Sequence, residues 1–478
     1  MVFNSHVFIL CFLPIALSGY YLLNHFGYER PARIFLVGMS FWFYGYFHPI
    51  YILLLGGSIL VNYFLHCRLY AMHQKWVLIA GLLINLGILG YFKYFNFLVD
   101  NLNTLLGTSF SVWKILLPLG ISFFTFQQIS FLVDTYRGET ERYEFSEYAL
   151  FISFFPQLVA GPIVTHSEII GQLRKPENKQ PSVEWFAKGI KLFVIGMSKK
   201  LLLADRFGEV ADWGFKYYYT IDSGHAILAA LMFTFQLYFD FSGYCDMAKG
   251  IGYMFHIVLP TNFNSPFKSA GIIEFWKRWH ITLGRFFTKY VYIPLGGNRK
   301  GKIRTCINSM IVFCLSGLWH GAGWTFVLWG VMHGIGYIID YIGKPLFKHI
   351  PRVLRVLTTF LYVSLAFVAF RAESREMMCG MYRVIFSGDW QPLQPFLSSD
   401  VIVAAFRIFK VNVLPGADYY PLAFYLVFAF YLAFISKNSE EYVEKARYGV
   451  IDAIATAALL LFCFIGLSGV STFLYFNF

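Results

Sequence analysis

Charge is what this sequence has least of. Asp, Glu, Lys and Arg make up 14% of its 478 residues, against 57% hydrophobic ones, and its mean hydropathy is +0.56. Soluble domains carry about 25% charged residues. Too few are present to coat a globule of this length, so lipid is the remaining solvent for its apolar surface. Acidic residues are scarcer than basic ones, 27 against 39. Organised cysteine chemistry is missing too. Cys11, Cys67, Cys245, Cys306, Cys314, Cys379 and Cys463 are scattered, form no CxxC, and with histidine form no zinc spacing. They read as small apolar packing residues, and no metal is expected. No internal repeat, low-complexity tract or separate soluble domain is visible. The N-terminus lacks the positive region of a cleaved signal and reads as a retained first span.

What is present is apolar sequence in long runs. No charged residue occurs in 1–28, 34–67, 115–133, 148–167, 250–267, 305–339, 419–436 or 453–478. A spanning helix needs roughly 20 apolar residues. Runs 34–67 and 305–339 are too long for one crossing. His48-Pro49 divides the first, because proline removes a donor and disfavours helix before it. Gly321 and Gly323 divide the second. The pattern predicts an all-α polytopic protein with about a dozen transmembrane or re-entrant segments, forming a single domain over 1–478. Segment 371–418, with a turn signal at Gly388-Asp389-Trp390 and amphipathic text near Phe406 and Phe409, is expected along the membrane surface.

The net charge of +12 speaks to topology, since cytoplasmic loops collect Lys and Arg. The densest cluster, 268–304, has Lys268, Lys277, Arg278, Arg285, Lys289, Arg299, Lys300, Lys302 and Arg304 against Glu274 alone, and is placed in the cytoplasm. The charges form no basic domain, so nucleic acid is not an expected partner.

Three stretches carry chemistry. Leu318-Trp319-His320-Gly321-Ala322-Gly323-Trp324 puts a histidine deep in an apolar run. Ionisable groups in a membrane line cavities or pathways, and a neutral imidazole can take a proton from a hydroxyl as a general base. The plainer reading is a histidine hydrogen-bonded to another helix. His333 competes for the role, and the glycine break favours His320. Phe275-Trp276-Lys277-Arg278-Trp279-His280-Ile281-Thr282-Leu283 reads as an amphipathic helix whose cations can meet the phosphates of an acyl carrier, or simply as an interfacial anchor. Tyr238-Phe239-Asp240-Phe241-Ser242-Gly243-Tyr244-Cys245-Asp246 puts two carboxylates at the end of an apolar run, where capping or ion pairing is the safer reading.

Together these stretches resemble the membrane-bound O-acyltransferase (MBOAT) family, in its bacterial alginate O-acetyltransferase branch. Leu116-Leu117-Pro118-Leu119-Gly120-Ile121-Ser122-Phe123, Phe155 to Pro162 and Tyr292-Ile293-Pro294-Leu295-Gly296-Gly297-Asn298-Arg299 belong to the same ordered set. Two positions depart from the branch: Thr282 stands where Ser is expected, and Thr288-Lys289 where an Arg-Asp pair is expected.

The resemblance implies a ring of tilted helices around a thin centre, with a cytoplasmic funnel, a catalytic core of about 115–342 and C-terminal helices in 355–478. It maps the catalytic histidine onto His320 and the second family histidine onto His280. Trp276, Lys277, Arg278 and Trp319 become candidate donor contacts. It implies no permanently bound cofactor. The donor is a cytoplasmic acyl thioester, acetyl-coenzyme A or an acyl carrier protein. The acetyl group crosses the bacterial cytoplasmic (inner) membrane to O-acetylate a surface polysaccharide of alginate, peptidoglycan or cellulose type, with a periplasmic or surface SGNH-type acetyltransferase as partner and membrane lipid as surroundings. The rivals are an MBOAT acylating a lipid, a protein or teichoic acid, and a transporter. A transporter more often shows carboxylates inside spans and a repeat between halves, neither of which stands out here.

Overall fold

The computed structural model describes residues 1–390, 420–467 and 473–474, and every regular element among them is helical. Among the described residues six helices are long and apolar enough to cross a membrane: Phe8–His25, Ile50–Met72, Lys75–Leu106, Ser223–Met254, Trp324–Phe347 and Arg352–Arg371. Two shorter apolar helices cover Phe424–Ile435 and Val450–Ile465. Both expected breaks occur. The helix Glu29–Gly45 stops before His48, and Pro49 caps the start of Ile50–Met72. Extended Gly321 and Gly323 separate Gly301–His320 from Trp324–Phe347. The amphipathic text near Phe406 and Phe409 lies outside the described residues. The described part of 371–418 contains the short helix Arg375–Ile385.

Two apolar runs fold differently from a span. Residues 148–167 break at Phe154 into the helices Phe145–Ser153 and Phe155–Leu158. Run 250–267 contains the end of the Ser223–Met254 helix and then runs without helix to a single 3₁₀ turn at Pro266–Lys268. Its backbone is satisfied from outside the run: the Gln172 side chain accepts from Val258 N at 2.8 Å and donates to Val258 O at 3.0 Å. Absence of charge marked burial there, not a crossing.

The chain divides into two compact units, one made of 1–194 and 245–261, the other essentially of 195–244 and 262–474. In the first, Phe8, Phe12, Phe43 and Phe155 form an aromatic core, with Phe12 and Phe155 edge-to-face at 5.0 Å. Some of its buried polar side chains are bonded between helices, as Asn85 to Asn62 at 2.6 Å and Gln128 to Ser58 at 2.9 Å. In lipid such bonds and close packing hold helices together, because the hydrophobic effect does not distinguish a neighbouring helix from a lipid tail.

The second unit is built on the hairpin of Gly301–His320 and Trp324–Phe347. Gly317 and Gly330 face each other across it. A Cβ on Gly317 would lie 2.3 Å from Phe326 O, and one on Gly330 would lie 2.3 Å from Phe313 O. Only glycine permits so close a crossing. Asp240 ends a charge-free run but sits inside the Ser223–Met254 helix, which continues past it. Its carboxylate pairs with Lys200 at 2.6 Å and accepts from Leu474 N at 3.0 Å. Lys200 also reaches Asp205 at 2.8 Å. The ion-pair reading of this carboxylate therefore holds and the capping one does not.

Candidate active site

The stretch Phe275–Leu283 is not one amphipathic helix. A short helix, Ile272–Trp276, ends before His280, and another starts at Ile281. His280 is left-handed, with φ 44° and ψ 50°, a conformation uncommon outside glycine. Pairing with a distant segment imposes it. Ile281 N donates to Asn262 O at 3.0 Å, and Asn264 N donates to Arg278 O at 2.9 Å. These bonds take the groups that a continuous helix would need.

The break turns His280 fully inward, where Phe241 packs edge-on at 4.9 Å. Asn262 settles which ring nitrogen carries the proton. The backbone N–H of Thr282, which can only donate, lies 3.2 Å from the Asn262 side-chain oxygen. Thr282 Oγ1 donates to the same oxygen at 3.0 Å. His280 Nδ1, at 3.2 Å from it, must therefore donate as well. The neutral ring then presents Nε2 as an acceptor. Burial pushes the His280 pKa down to about 3, so the neutral ring is the working form.

His320 ends its helix and is buried, at 4% exposure. Trp319 lies 4.9 Å from its ring, Trp329 5.0 Å, Phe370 5.3 Å and His280 6.1 Å. The two histidines that the sequence singled out are thus brought to one place, close enough for a single substrate group to contact both. His333 extends the same stack. It lies 4.8 Å from Trp329 and 5.1 Å from Trp276, whose indole N–H donates to His333 Nδ1 at 3.2 Å. Three histidines alternate with three tryptophans, so His333 is a member of the site and not merely a rival to His320.

The candidate donor contacts divide. Trp276 and exposed Lys277 line a cavity of about 430 Å³, together with Arg285, Ser309, Ser316 and Tyr337. Arg278 turns away from it, pairing with Glu274 at 3.0 Å and donating to Asn264 O at 3.2 Å. Trp319 packs against the histidines. Neither His280 nor His320 lines the cavity; Trp276 belongs both to its wall and to the stack. Among the described residues no three His, Cys, Asp or Glu side chains converge so as to hold a metal ion. The site offers buried imidazoles beside an apolar chamber with cationic side chains, a combination suited to proton transfer during acyl transfer.

Residues 36–351 match the membrane-bound O-acyltransferase family. The chain belongs to that family. It is therefore a multi-pass membrane acyltransferase. It is 38% identical to a peptidoglycan O-acetyltransferase of Helicobacter pylori, over 100% of this chain and 98% of that protein. It is 40% identical to the probable alginate O-acetylase AlgI of Pseudomonas aeruginosa, over 82% of this chain and 76% of that one. Similarity to a teichoic acid D-alanyltransferase of Streptococcus thermophilus is lower, 28% over 46% of this chain and 56% of that protein. Family membership replaces the transporter reading. Asn262 and Trp329 were missed from sequence alone, because a lone Asn in Thr261-Asn262-Phe263-Asn264 and one more tryptophan in an apolar run carry no signal until their partners are known.

Proposed function

We propose that this acyltransferase takes acetyl from a cytoplasmic thioester donor and delivers it through the bacterial cytoplasmic membrane for O-acetylation of a cell-envelope polysaccharide, with peptidoglycan the first candidate. The end-to-end relationship to a peptidoglycan O-acetyltransferase, where the alginate relatives match 82% of this chain, supports this choice. The donor, acetyl-coenzyme A or an acyl carrier protein, enters through the cavity lined by Trp276 and Lys277, where the lysine faces its phosphate. His320 takes the proton of an acceptor hydroxyl as that oxygen attacks the thioester carbonyl. His280, held by Asn262, positions the reacting groups through Nε2. A separate SGNH-type acetyltransferase completes transfer to the polymer.

Deleting the gene and measuring base-labile acetate on purified peptidoglycan tests this reading. Acetate should fall to background and return with the wild-type gene. Unchanged acetate on peptidoglycan, with loss from another surface polymer, would reassign the acceptor. Unchanged acetate on every envelope polysaccharide would refute the proposal.

A further inference from the structure

An acyl-transfer site needs donors for the negative charge that develops on the carbonyl oxygen, and neither histidine of the reactive pair supplies them in the scheme above. Two buried N–H groups are candidates, one on Trp329 beside His320 and one on His333 beside Trp329. Trp329 and His333 are exposed by 1% and 0%, and neither Trp329 Nε1 nor His333 Nε2 has a hydrogen-bond partner in the protein. That absence is one among the described residues; buried polar groups are nearly always bonded, and each exception calls for an explanation.

The proton on His333 follows from its neighbour. An indole N–H can only donate, so His333 Nδ1, which receives the Trp276 N–H, is an acceptor. The ring is therefore neutral, with its proton on Nε2. Trp329 and His333 stand four residues apart on one helix and so share a face. Their rings are 4.8 Å apart, and Trp329 stands 5.0 Å from and perpendicular to His320.

We propose that the Trp329 Nε1–H and His333 Nε2–H form the donor pair that receives the acyl carbonyl oxygen as it becomes an oxyanion. The proposal rests on His320 acting as the base. His320 takes the hydroxyl proton while the acceptor oxygen bonds to the thioester carbon. The carbonyl π pair moves onto oxygen, where the two N–H groups meet it. Collapse restores the C=O bond and breaks C–S, and His320 returns the proton to the departing sulfur. Trp276 is a positioning residue, since its indole fixes the His333 tautomer.

The test uses membranes holding the full chain and its acetylation partners, with acetyl-coenzyme A varied as donor. Trp329→Phe keeps a ring and removes the N–H. Loss of one preorganised donor costs about 10²–10³-fold in kcat, so kcat should fall by about that factor with KM and membrane abundance unchanged. His333→Phe should behave likewise, and Trp276→Phe should lose less. If Trp329→Phe does not accumulate, the N–H-to-S isostere benzothienylalanine at position 329 carries the same expectation. Wild-type kcat in an N–H-free variant, or a defect confined to KM, would overturn the proposal while leaving His320 as base. Activity retained by His320→Ala would instead remove the reading on which it rests.

Discussion

Gly330→Ala adds one methyl group and should nearly silence the enzyme. In an isolated helix the change would help, by about 0.8–1 kcal/mol of helix propensity. Here the new Cβ would lie 2.3 Å from Phe313 O, where ordinary contact begins near 3.4 Å. The obstacle is backbone and no side chain can swing away, so the Gly301–His320 and Trp324–Phe347 helices must separate by about 1 Å. Overpacking of this kind costs typically 1–3 kcal/mol, enough to cancel the propensity gain and still strain the hairpin. Function suffers more than stability. Gly330 adjoins Trp329, which packs on His320, and misplacing a catalytic group by 1 Å can cost about 10²-fold in rate. The assay pairs polymer-bound acetate with membrane abundance and the melting temperature in detergent. Gly323→Ala is the control, because its Cβ meets nothing closer than 3.6 Å and should be tolerated. Full activity and unchanged melting in Gly330→Ala, or equal damage in both variants, would refute this account of the crossing.

Lys200→Met should strand the Asp240 carboxylate inside the second unit and destabilise the protein by about 3–5 kcal/mol, read as a lower melting temperature that a joint Lys200→Met, Asp240→Leu variant partly restores; wild-type melting in the single variant would contradict it. A cysteine at Asn298 in a cysteine-free background should resist an impermeant thiol reagent in intact cells, because the surrounding Lys and Arg hold that loop in the cytoplasm; labelling without lysis would reverse the orientation. His280→Ala should raise the donor concentration needed for half-maximal rate and be partly rescued by more donor, whereas total loss without rescue would make the two histidines one catalytic unit.

The sequence was legible where local chemistry decides. Pro49 breaks a helix through its own ring, and two glycines one residue apart, Gly321 and Gly323, weaken one, so both divisions could be placed in advance. His320 stood out because a histidine in an apolar run is costly to bury. What stayed hidden depends on partners far along the chain. Lys200 stands 40 residues from Asp240, and nothing near either names the other. The left-handed turn at His280 comes from pairing with 262–264, so alternating charge and tryptophan read wrongly as a helix. Run 250–267 looked like a crossing because Gln172, not a helix, satisfies part of its backbone. Trp329 and His333 acquire their meaning only when the hairpin closes beside His320.

The central claim is that His320 is the general base. Removing such a base costs roughly 10²–10⁴-fold in rate. The direct measurement is polymer-bound acetate in cells whose only copy is His320→Ala, with membrane abundance quantified in parallel. The account predicts acetate at the level of the deletion strain from a protein present at wild-type abundance. Wild-type acetylation by a well-expressed His320→Ala protein would contradict it.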